Sequence, residues 1–120
     1  MNFNEYNWHD AVIKLICIDR NEPGINDKIT FAIEWEDGKK SMLEFKGVYW
    51  ASLLLNFGII AEETVLDAKT LGKDDTDLIY FYSSWNGTFD DIDLTVYSIE
   101  LNSTGSTIKI IAQSYLISYV

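Results

Sequence analysis

Few residues in this chain carry groups that could do chemistry. His9 is its only histidine and stands beside Asp10. A histidine next to a carboxylate could act as a base with its orienting partner. Adjacent residues on a strand point to opposite faces, and the sequence places no nucleophile with the pair. His9 therefore reads as a loop residue that caps or hydrogen-bonds backbone. Cys17 is the only cysteine and lies inside an apolar run, the setting of a buried structural thiol. One histidine and one cysteine make no zinc site of the usual kind. Asp74-Asp75-Thr76-Asp77 and Asp90-Asp91-Ile92-Asp93 resemble loops that hold calcium, but neither has EF-hand spacing, and both read as solvated acidic loops. Paired carboxylates could serve a glycosidase only if two of them faced one cleft. There is no glycine-rich phosphate loop and no nucleophile elbow. The expectation is a non-enzymatic protein with no cofactor and no metal.

What remains is a binding surface. The formal net charge is −10, and it is uneven. Residues 1–60 carry nine acids against six bases, and residues 61–120 carry ten against three. Between Asp74 and Ile108 there is no Lys or Arg. Within that segment Asp77, Tyr82, Trp85, Phe89, Asp90, Asp91 and Asp93 interleave carboxylates with aromatic rings. Tyr and Trp supply rigid contact area, and carboxylates steer a basic protein partner. These seven are the candidate partner-binding residues. In the plainer alternative, the aromatics are core and only the acids lie outside. The same charge excludes direct nucleic-acid binding, which needs Lys and Arg on phosphates, and it disfavours an anionic membrane.

The elements that must position these residues are mostly strands. One domain over residues 1–120 is expected at this length. Hydrophobic content of 48% argues against disorder, and 14% aromatics with a single proline point to strands. A lone cysteine fits a reducing compartment. The N-terminus has neither the basic nor the apolar region of a signal peptide. No apolar run reaches the roughly 18 to 20 residues of a membrane span. Asn86-Gly87-Thr88 and Asn102-Ser103-Thr104 match the glycosylation pattern but read as turns. A cytoplasmic location is expected.

Residues 1–10 read as a lead-in loop. Residues 11–19 are apolar on both alternating faces, as in a buried central strand. Residues 29–36 alternate cleanly, and Asp37-Gly38 signals a hairpin to a return strand at about residues 40–46. The apolar pattern favours a three-residue loop of Asp37-Gly38-Lys39, pairing Ile33 with Leu43, whereas turn chemistry wants glycine last in the loop. The stretch from Gly47 to Ile60 carries no charge and should be covered on most sides. It reads as strand or helix, and Gly47 and Gly58 favour extended pieces with a bend.

Residues 62–71 form the best helix candidate, with Glu62 and Glu63 in the first turn and Lys69 in the last. No good N-cap residue precedes it. Residues 78–84 read as a strand, and residues 92–101 and 107–119 as a closing hairpin. The fold class is α+β and strand-rich: an antiparallel sheet of about six or seven strands, curled or an open barrel, with one helix near 62–71.

Three segments together look familiar. They are Trp8-His9-Asp10-Ala11 before a strand, Phe45-Lys46-Gly47-Val48-Tyr49-Trp50, and Asn56-Phe57-Gly58-Ile59-Ile60 leading into the expected acidic helix. The layout resembles small single-domain immunity proteins of bacterial polymorphic toxin systems. That resemblance implies a cytosolic, non-enzymatic protein that binds and neutralises a cognate toxin, with a basic toxin domain as partner. An alternative is a small-molecule-binding β-barrel with Tyr49, Trp50 and Phe57 lining its cavity.

Overall fold

The computed structural model describes all 120 residues. Six strands form one antiparallel sheet: β1 (Val12–Asp19), β2 (Lys28–Glu34), β3 (Lys40–Leu54), β4 (Val65–Leu71), β5 (Thr95–Leu101) and β6 (Thr107–Tyr119). Their order is β1-β2-β3-β6-β5-β4, and a single helix, α1 (Thr76–Ser84), joins β4 to β5. The class is α+β, as the composition implies. The sheet curls but does not close into a barrel. Its edge strands meet at one corner, where Val12 bridges Thr64 and Ile13 N–H donates to Glu63 at 2.9 Å. No helix is long and apolar enough to cross a membrane.

The helix is not at residues 62–71. Those residues contain β4, and the misreading has a local cause. The register of β4 on β5 slips between Val65 and Asp67, so the buried residues Val65 and Ala68 fall three apart, the spacing of a helix face. The true helix lies where a strand was expected. Asp75 is its N-cap and accepts from Asp77 N–H and Leu78 N–H, both at 3.1 Å. Leu78 and Phe81 are buried and Tyr82 is half-buried, the i, i+3, i+4 pattern of a helix on a sheet.

The β2–β3 hairpin forms, but its loop is Glu36-Asp37-Gly38. Trp35 N–H donates to Lys39 and Gly38 N–H donates to Trp35, both at 2.8 Å. Gly38 takes φ +88, which places glycine last in the loop. Phe31 therefore pairs with Leu43, and Ile33 with Ser41. The shift from the expected register is two residues, so every side chain keeps its face. The closing hairpin of β5 and β6 forms as expected, with Ile99 opposite Ile108.

The two faces of the sheet carry separate cores. Tyr97 and its partner Ile110 face inward, so Val96 and its partner Ile111 face outward. On the inner face Phe31, Leu43, Phe45, Ile99 and Ile108 are fully buried. The lead-in segment closes this core. Phe3, on a 3-10 turn at Phe3–Glu5, sits 4.7 Å from the Trp8 ring and 5.0 Å from Tyr97. Trp8 Nε1–H donates to Phe3 at 2.7 Å, satisfying the one polar group of the buried indole. On the outer face α1 packs Leu78 and Phe81 onto Leu94, Val96 and Ile111.

Two expectations about burial fail. β1 is an edge strand, not a central one, and Cys17 is exposed along with Leu15 and Ile18. The uncharged stretch is covered only in its first half. β3 runs through it to Leu54, but Phe57 is 84% exposed and Ile60 fully so. These residues lie past the end of β3, whose pairing with β6 stops at Leu54.

Candidate functional site

The acidic, aromatic segment is built outward from α1. Phe81 is buried against the sheet and carries Phe89 stacked on it at 5.8 Å. Phe89 also meets Tyr49 edge to face at 5.1 Å and Trp85 at 5.3 Å. The chain can turn back this sharply because Asn86 and Gly87 both take positive φ. Tyr82 pins the returning segment, its hydroxyl donating to the Ile92 carbonyl at 2.6 Å. Trp85 is the C-cap of α1 and stays about half exposed.

The seven candidate residues do not act as one patch. Trp85 and Phe89 come together on Phe81, which Tyr82 also meets, with Asp90 and Asp91 exposed beside Phe89 and free of any ion pair. Asp77 lies at the far end of the helix, about 12 Å away at 1.5 Å per residue. It is engaged there: Lys109 Nζ reaches Asp77 at 2.6 Å and Asp75 at 2.8 Å. Asp93 is held by Lys73 at 2.8 Å, and the same ammonium donates to the Leu94 carbonyl. Asp77 thus helps anchor α1, whereas Asp93, 91% exposed, only meets the ammonium that holds the Leu94 carbonyl. Phe89 and Tyr82 are half core, so the plainer alternative holds for part of the set.

Electrostatics support that division. Burial opposes the charge on Asp75, but the Lys109 hydrogen bond, the Leu78 N–H, the Lys109 charge and the Asp77 N–H outweigh it and hold its pKa below 3.8. Burial likewise opposes the charge on Lys109, and its bonds to Asp75 and Asp77 outweigh that and raise its pKa above 10.5. This pair ties the helix N-terminus to β6.

A groove of about 290 Å³ opens between Trp85 and the β1–β2 loop. Its lining adds Ile25, Asp27 and Gln113, which sequence reasoning missed, and Gly47, to Tyr49, Trp85 and Phe89. The groove exists because β3 bulges at Tyr49. Val48 pairs with Ala112 and Trp50 with Ile111, so the intervening residue has no partner of its own. Gly47, at φ +59, starts this kink, and a Cβ there would fall on the Gln113 side chain. The glycine was visible in the sequence; its partner Gln113 carries no signal that would connect it to Gly47. A second groove of about 300 Å³ runs beside it, lined by Ile18, Arg20, Tyr49, Trp50 and Leu53.

His9 and Asp10 sit on a turn, both exposed, with Nδ1 3.3 Å from Oδ2. Asp10 takes φ +65, and its N–H donates to Val65, so the pair marks the corner where the sheet edges meet. No three His, Cys, Asp or Glu side chains converge in a way that could hold a metal ion. Phe57 is 84% exposed, and the space within the curled sheet is filled by the inner core. No family model matches the chain, and no curated protein matches it.

Proposed function

We propose that this protein is a non-enzymatic binding module for a basic protein partner, of the immunity type that neutralises a toxin domain in the cytoplasm. One observation carries the reading most directly. Trp85 stands half exposed at the mouth of an aromatic groove, beside Asp90 and Asp91, which the fold leaves without cations. Half-buried aromatics make strong anchor points, and unpaired carboxylates at the rim speed encounter with a basic surface. Asp75 and Asp77 are engaged with Lys109 in holding α1, so the number of acids in the segment alone would have overstated the patch.

Co-expression with the product of the gene immediately upstream, followed by capture at low and high salt, tests this reading. Salt-sensitive capture that weakens on Asp90→Lys with Asp91→Lys supports it. Capture of no basic protein, or capture indifferent to both charge reversals, contradicts it.

A second reading, a small-molecule site, draws on the groove at Tyr49 and Trp50, whose volume lies at the lower end for ligand pockets. Arg20 there is free of ion pairs and could meet an anionic group. A ligand-dependent rise in melting temperature that disappears on Arg20→Ala would favour it.

A further inference from the structure

We infer that the groove between Trp85 and the β1–β2 loop receives one cationic side chain of the partner, an arginine. This deepens the binding proposal and rests on it for the biological role. The chemistry is local. Tyr49, Trp85 and Phe89 contribute aromatic rings to the lining, and Ile25 adds an exposed apolar rim. Two acceptors complete it. Asp27 takes the Gly24 N–H on Oδ2 at 2.8 Å, which leaves Oδ1 with no hydrogen-bond donor from the fold. Gln113 places its amide oxygen over Gly47, at the same groove.

No Lys or Arg lines the groove. Arg20 and Lys28 line the neighbouring groove, which Asp27 also borders, but neither forms an ion pair with its carboxylate. Lys28, next to Asp27 in sequence, is turned to Glu44 at 3.4 Å. Aromatic rings attract a cation through their quadrupoles, and a planar guanidinium can stack on a ring while donating to two separate acceptors. An ammonium is more strongly hydrated and gives up more on leaving water. A neutral apolar side chain would leave Asp27 and Gln113 without partners. Arginine is the side chain that uses both halves of the lining.

The test needs no identified partner. The intact protein, labelled with nitrogen-15, is titrated with the peptide acetyl-Gly-Arg-Gly-amide and with the same peptide carrying citrulline, which is neutral and nearly isosteric. The indole N–H resonance of Trp85, assigned by its loss in Trp85→Phe, reports the groove. Trp8 and Trp35 lie in the inner core and are internal controls, while Trp50 reports on the neighbouring groove. The arginine peptide should shift Trp85 saturably and leave Trp8 and Trp35 in place, and the citrulline peptide should not. Asp27→Asn keeps an oxygen for Gly24 N–H and should weaken the arginine peptide about fivefold. An unmoved Trp85 resonance, an equal response to citrulline, or an Asp27→Asn titration matching the natural protein would overturn the inference. Each of those outcomes leaves the wider binding proposal standing, since that depends on capture of a protein.

Discussion

On the inner face of the sheet, side chains from all six strands meet beneath a lid of Phe3 and Trp8. On the outer face a single nine-residue helix and the segment returning from it cover only the middle. The inner face is complete: its aromatic rings lie within van der Waals reach of one another, and its indoles have found acceptors at Phe3 and Ser41. The outer face stops short. Past the end of α1 the cover thins to Trp85 and Phe89, and the bulge at Tyr49 leaves a groove beneath them. The first arrangement has no unsatisfied surface to offer a partner. The second offers aromatic area together with unpaired carboxylates, which is why the proposed binding is placed on it. The apolar run from Phe57 to Ile60 is more exposed than either, but it has no charge with which to select a partner.

If the inner face carries the stability, breaking it should have the largest effect. Phe45→Ala should cost about 3–5 kcal/mol in a urea denaturation, since Phe45 is fully buried and its ring meets Phe3, Phe31 and Tyr97. A loss below about 1 kcal/mol would mean that the inner core is looser than its geometry.

A smaller effect should come from the tie that holds α1 on the outer face. Asp75→Ala removes the cap of α1 and one of the two partners of Lys109, and should cost about 1–2 kcal/mol. The same tie has a pH signature. The depressed pKa of Asp75 means that its contribution is complete above the ordinary carboxylate value, 3.8, and is lost as pH falls through and below it. The raised pKa of Lys109 means that its share is complete below 10.5 and is lost only as pH rises beyond that. The stability difference between the natural protein and Asp75→Ala should therefore shrink in acid, and acid melts of the two proteins check it.

The smallest effect on stability should come from the binding rim. Asp90→Lys with Asp91→Lys should change the stability by less than about 0.5 kcal/mol, because neither acid has an ion-pair partner in the fold, while weakening capture of the basic protein. Destabilisation by more than about 1 kcal/mol would place both acids with Asp77 as structural groups.

How far the sequence foretold this arrangement depends on where the strands bulge. Alternation located β2 and the closing hairpin, because neither is interrupted on the inner face. It failed at β4, where the slip after Val65 gave a strand the spacing of a helix. It failed again over residues 78–84, where aromatic composition suggested a strand although Leu78 and Phe81 stand three apart. At the β2–β3 turn the local demand of Gly38 overrode the best hydrophobic match, at no cost, because a shift of two preserves the faces. Trp85, Phe89, Asp90 and Asp91 could be found from composition. Asp27 and Gln113 could not, because only the kink at Gly47 and the β1–β2 loop bring them to the groove. Asp77 and Asp93 looked like surface charge until Lys109 and Lys73, remote in sequence, closed on them.

The most direct test of the central claim is amide hydrogen exchange of the protein with and without its captured basic partner. Slower exchange at residues 24–27, 47–49 and 85–91 on binding is the expected result, since these surround the groove and its acidic rim. Protection confined to β1 or to residues 56–62, with 85–91 unchanged, would contradict the account and move the interface to the exposed apolar run.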